Sequence, residues 1–174
     1  MSEKPSIGFD TVAEFLAHAH ALEQELAQRY GEMADSLEVH NNPEVAGLFR
    51  QLAKYSETHA GKLIPQAEAF DMPKVPPWEY QWLCIDEPED CREATNYLMT
   101  TRQALQLALR MEEGSRSFYA LTIQGSPCQP VKELAEKMVA LKERHLVLLN
   151  GWLGSEAERH ELPPEDLDPP NMPE

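Results

Sequence analysis

Nowhere in the 174-residue chain do about 18 apolar residues follow one another without interruption, so no segment reads as a bilayer-spanning helix. Cysteine is scarce. Cys84, Cys91 and Cys128 are odd in number and form no Cys-x-x-Cys, which argues against a disulfide framework or a four-cysteine iron centre and leaves reduced, structural thiols as the expectation. Positive charge is also short: 15 Lys and Arg face 30 Asp and Glu, a formal charge of -15 that disfavours nucleic acid and anionic membrane and suits cationic metals or basic protein partners. A glycine-rich phosphate loop, a nucleophile elbow and a basic, aromatic nucleic-acid surface are all missing. The opening MSEKPSIGFD has no basic stretch leading into an apolar run, and a cytoplasmic location is expected.

What the chain does have is helical period. Thr11-Val12-Ala13-Glu14 reads as a capping box, followed by Leu16, Ala19, Glu23, Leu26, Tyr30, Met33 and Leu37 at alternating spacings of three and four, which predicts a helix over roughly 11–38. Asn42-Pro43 supplies an N-cap and first-turn proline for a second helix with the stripe Val45, Phe49, Leu52, Ser56, His59 and Leu63, antiparallel to the first. A third, over roughly 95–124, carries Leu98, Thr101, Leu105, Ala108, Glu112, Ser115 and Tyr119. The fourth, roughly 130–152, is expected to turn Leu134, Met138, Leu141, His145, Leu148 and Trp152 inward. The predicted fold is an all-α antiparallel four-helix bundle, two hairpins joined by a long crossover with ferritin-like connectivity. One domain over 1–153 is expected, large enough to form a core without metal or disulfide staples. The proline- and tryptophan-bearing stretch at about 69–93 is the crossover, with Pro76-Pro77, Trp78 and Trp82 strapped over the bundle. Residues 154–174, acidic and rich in proline, read as a disordered tail.

A polar pattern is written twice into these helices. Glu23 is followed seven residues on by Tyr30 and later by Ser56-Glu57-Thr58-His59; Glu112 is followed seven residues on by Tyr119 and later by Lys142-Glu143-Arg144-His145. The offset is 89 residues at the glutamates and 86 at the histidines, so each half is one hairpin of an internal duplication. Carboxylate-bridged metal sites in such bundles take a lone Glu from each of two helices and a Glu-x-x-His from each of the other two. Here Ser56 and Lys142 stand where the second pair of glutamates belongs. Glu57 and Glu143 do not substitute, since each lies two residues before its histidine and faces another side of the helix.

Leu22-Glu23, Arg29-Tyr30, Asn42-Pro43-Glu44-Val45, Leu48-Phe49-Arg50-Gln51-Leu52-Ala53 and His59-Ala60 resemble the first hairpin of rubrerythrin-type ferritin-like proteins. Tyr97-Leu98-Met99-Thr100, Ala104-Leu105 and Glu112 to Tyr119 resemble the start of the second, and the likeness covers about 10–152. The resemblance implies a site that reduces peroxide or oxidises iron, with Glu23 and Glu112 at terminal carboxylate positions, His59 and His145 at histidine positions, and Tyr30 and Tyr119 just outside. Ser56 and Lys142 fall on the two bridging glutamates. No rubredoxin-type domain is read from the chain, so peroxidase chemistry would need an external electron donor, and a homodimer is expected by analogy.

Charge then separates two readings. Two carboxylates facing the Lys142 ammonium neutralise two divalent cations poorly and have lost the bridges, which disfavours a di-iron centre. Lys142 is expected in a former metal position, paired with Glu112 or Glu23 and hydrogen-bonded to the histidines. His20, one turn before Glu23, completes with Glu23 and His59 a two-histidine, one-carboxylate set for a single iron. Function therefore stands between a metal-associated redox or iron-handling protein with a remodelled centre, and a metal-free bundle closed by Lys142 that acts as an interaction or structural module. His18, His40 and His160 look exposed.

Overall fold

The computed structural model describes residues 6–39, 42–68 and 100–161; the crossover, His40, Leu98 and the far tail lie outside them. Four helices appear in order: α1 Val12–Val39, α2 Pro43–Glu68, α3 Thr101–Gly125 and α4 Gln129–Glu161. Thr11 caps α1, its hydroxyl accepting from the Glu14 N–H at 3.2 Å. After α1 the chain turns within three residues. Asn42 N–H bonds back to the Leu37 carbonyl at 3.0 Å, and its own carbonyl opens α2 by accepting from Ala46. Packing follows the hairpins, α1 against α2 and α3 against α4, and the two hairpins close over one core of Phe15, Leu16, Phe49, Leu52, Leu105, Phe118 and Leu149, all completely buried.

The second hairpin departs from the predicted bounds. Thr100, with extended φ/ψ of -71° and 160°, forms a full capping box with Gln103, so α3 begins at 101 and not near 95. Helix α4 runs through Gly154 to Glu161, nine residues past the predicted end at Trp152, because a lone exposed glycine costs only about 1 kcal/mol of helix propensity. Its inward face also differs. The buried line is Val131, Ala135, Met138, Lys142, His145 and Leu149, while Leu134, Leu141, Leu148 and Trp152 are half-buried along the flanks. The core line of α4 therefore passes through a lysine.

An extended N-terminal segment plugs one end of the bundle. Phe9 is completely buried against Phe15 and Phe118, and its N–H donates to Ser126 Oγ at 3.0 Å. Its ring also packs 4.8 Å from that of His18, which is buried and directs Nδ1 to the Glu14 carbonyl at 3.0 Å. The expected exposure of His18 is thus wrong: the plug covers it. Gly125 permits this closure, since a Cβ there would sit 2.4 Å from the Ile7 carbonyl oxygen. Gly125→Ala should accordingly lower stability by roughly 1–3 kcal/mol in urea titration, while Gly61→Ala, where a Cβ meets nothing within 4 Å, should not.

Candidate functional site

Glu23 on α1 and Glu112 on α3 each interrupt an apolar stripe, and the bundle completely buries both. A buried carboxylate must find donors or give up its charge. Each finds a tyrosine from the other hairpin: Tyr30 Oη donates to Glu112 Oε1 at 2.6 Å, and Tyr119 Oη donates to Glu23 Oε1 at 2.9 Å. The two tyrosines, also completely buried, were placed near the site by their spacing. Their crossing between hairpins was not visible in it.

Lys142 rises from α4 into the gap between the acids. Its Nζ lies 3.0 Å and 3.1 Å from the two oxygens of Glu23 and 3.9 Å from Glu112 Oε2, with no exposed side-chain surface. The histidines take the outer sides of the same carboxylates. His145 Nδ1 donates to Glu112 Oε2 at 3.2 Å, whereas His59 Nδ1 stops 3.9 Å from Glu23 Oε2 and has no hydrogen-bond partner. The expected pairing of Lys142 with a carboxylate is present, but the ammonium bonds Glu23 and not the histidines.

Sequence spacing did not identify the stack on His145. The rings of Tyr55 and His59, one turn apart on α2, each stack near-parallel on that of His145, at centroid distances of 5.5 Å and 5.9 Å with interplanar angles of 13° and 17°. Tyr55 is partly exposed, so this stack connects the centre to the surface. Ser56 and Ser115 are buried with their hydroxyls unpartnered. Glu57 is exposed and Glu143, also exposed, pairs with Arg116 at 3.1 Å, in line with the phase argument that removed both from the site.

Burial opposes ionisation of Glu23, but the Lys142 ammonium and the His59 ring outweigh it and hold the carboxyl at about 2, below its ordinary 4.5. Burial likewise opposes ionisation of Glu112, and Lys142, His145 and Tyr30 together still lower it. For Lys142, burial favours the neutral amine; the two carboxylates overcome this and raise it above 10.5. Burial and the neighbouring carboxylates push both tyrosines well above their ordinary value, so they remain neutral donors.

The residues at hand do not suit a pair of metal ions. Two carboxylates are present where four are needed, their lone pairs are directed at Tyr30, Tyr119, Lys142 and His145, and an ammonium occupies the space between them. Among the described residues, no three His, Cys, Asp or Glu side chains converge on a common metal position. That also removes the His20, Glu23 and His59 set. His20 is half-buried with Nε2 unpartnered, one turn from Glu23 but not joined to it.

A family model described as rubrerythrin matches residues 14–102. An uncharacterized conserved protein from Magnetospirillum magnetotacticum MS-1, solved at 2.00 Å resolution, is 37% identical, with 83% of this chain and 95% of that chain covered and a TM-score of 0.72. No curated protein gives a significant match.

Two predictions follow from the charges. Lys142→Met keeps most of the volume but strands two carboxylates, and should cost roughly 3–5 kcal/mol in urea titration at neutral pH; adding Glu23→Gln should recover much of it. Stability should also fall on both sides of neutrality. Because Glu23 is depressed in the folded state, its contribution is complete above 4.5 and is lost as pH drops toward about 2. Because Lys142 is raised, its contribution is complete below 10.5 and is lost only above that value. Denaturation midpoints across pH 2–12 should therefore plateau between the two limbs, and Lys142→Met should remove the alkaline limb attributable to this lysine.

Proposed function

The chain belongs to the rubrerythrin family, and on that footing we propose that it is a remodelled member in which an internal ion pair has replaced the metal pair. The family background suggests iron-related chemistry; the carrying observation against a full centre here is Lys142 Nζ, 3.0 Å from Glu23 and 3.9 Å from Glu112, at the heart of the ligand frame. A bound ammonium supplies the positive charge that a cation would supply, without redox chemistry and without an open coordination position. The bundle then serves through its surface, as an interaction or structural module, and not through oxygen or peroxide turnover.

One observation favours a second reading, in which a single iron is handled. His59 Nδ1, 3.9 Å from Glu23 Oε2, and Ser56 Oγ, one turn earlier on α2, are both buried atoms without hydrogen-bond partners, and the two carboxylates exceed the single ammonium by one negative charge. Those groups would hold one cation only weakly, having no second carboxylate or histidine directed at the same point.

Elemental analysis after anaerobic Fe(II) loading distinguishes the readings. The ion-pair reading expects no stoichiometric iron; one iron per chain that disappears in His59→Ala supports the second reading, and two irons per chain would overturn the first. Replacing Ser56 and Lys142 together by Glu returns the four-carboxylate set and should confer iron binding with ferroxidase activity on the folded bundle.

A further inference from the structure

From the plugged end of the bundle, the buried centre lies one aromatic layer down. Ser6, Gly8 and Asp10 are exposed while Ile7 and Phe9 are buried, the two-residue alternation of an extended segment that lays one face against the helices. The Phe9 ring meets Phe15 at 5.7 Å and Phe118 at 6.1 Å between centroids, and those two rings meet Tyr119 at 6.2 Å and 5.1 Å. Tyr119 Oη in turn donates to Glu23 Oε1 at 2.9 Å, and Lys142 holds the same carboxylate. His18, beneath Phe9, precedes Glu23 by five residues on α1, roughly 7.5 Å along the axis at 1.5 Å per residue.

We propose that residues 6–10 are a lid on the ion-pair centre. Seated, Phe9 holds Phe15 and Phe118 against Tyr119 and keeps water from Glu23 and Lys142; lifted, the segment opens this end of the bundle to water and small solutes. Entry of water raises the local dielectric and loosens the charge network, so the lid regulates how firmly the centre is locked. The proposal rests on the reading of that centre as a closed ion pair and assigns its route of access. This segment is the element that leaves with least disruption. It is tied by the Phe9 N–H to Ser126 Oγ at 3.0 Å, by the Ile7 N–H to the Leu121 carbonyl at 3.4 Å and by its two seated side chains. Opening the bundle by moving a helix would instead break a whole core stripe. The seat can be disturbed from either side, by removing the Phe9 ring or by adding a methyl group at Gly125, where a Cβ meets the Ile7 backbone.

The test is native-state labelling of the full chain with acetic anhydride, followed at Lys142 by peptide mass mapping and expressed as a ratio to exposed Lys137 on the same helix. Phe9→Ala removes the anchor of the lid and Gly125→Ala unseats its backbone. Leu37→Ala, buried near the opposite end of α1, is the control, and all chains are compared at equal global stability set with urea. Wild-type Lys142 should react at least about a hundredfold more slowly than Lys137, and both lid variants should speed it at least about tenfold while Leu37→Ala leaves it unchanged. Equal Lys142 rates in all four chains at matched stability would mean that the centre is reached by global unfolding and would overturn the proposal, as would a rise in Leu37→Ala equal to that in the lid variants. Wild-type labelling as fast as that of Lys137 is a separate outcome: it would show a centre that is not closed and would overturn the ion-pair reading together with its lid.

Discussion

An ammonium held between two carboxylates, with water excluded from all three, is the constraint around which this bundle is organised. Lys142, Glu23 and Glu112 have no exposed side-chain surface. In a medium of low effective dielectric, none of the three can remain charged without the others. The arrangement around them follows from that. The tyrosines donate to one oxygen of each acid, the histidines take the outer sides, and the aliphatic and aromatic layers begin only beyond this network.

Such a centre tolerates coordinated change better than single change. Losing the lysine alone strands the acids, and losing an acid alone leaves the ammonium without its counter-charge, whereas exchanging the whole set for apolar side chains of similar volume is close to neutral. A metal pair in the same frame has the same property, because ligands and ions neutralise each other as a unit. Passage from one arrangement to the other therefore requires the bridging positions to change together, and on the proposed reading Ser56 and Lys142 are those two positions.

Much of this was legible in the sequence because period carries burial. Acids in the middle of the stripes of α1 and α3 could only be buried, and counting phase along α2 and α4 was enough to reject Glu57 and Glu143. What period could not give was anything decided between helices. The crossing of Tyr30 and Tyr119, and the stacking of Tyr55 and His59 on His145, depend on how two hairpins face one another, for which no residue spacing stands proxy. The inward line of α4 agrees with the structure at Met138 and His145 and differs elsewhere for a related reason: Leu134, Leu141 and Leu148 on its flanks outweigh, in an apolar count, the Ala135 and Lys142 that are buried. His18 was misread because a single extended phenylalanine from the N-terminal segment buries it.

Crossed bonds between equivalent residues are the mark of a two-fold axis, with each half completing its neighbour in the same way. Two separate copies of one hairpin could reproduce that pattern, but they would be obliged to carry identical side chains at the positions now held by Ser56 and Lys142. Two lysines would then confront two glutamates, or two serines would leave both acids without an ammonium. Joining the halves in one polypeptide releases them from that obligation, and a solitary cation at a symmetric centre is an arrangement open only to the fused form.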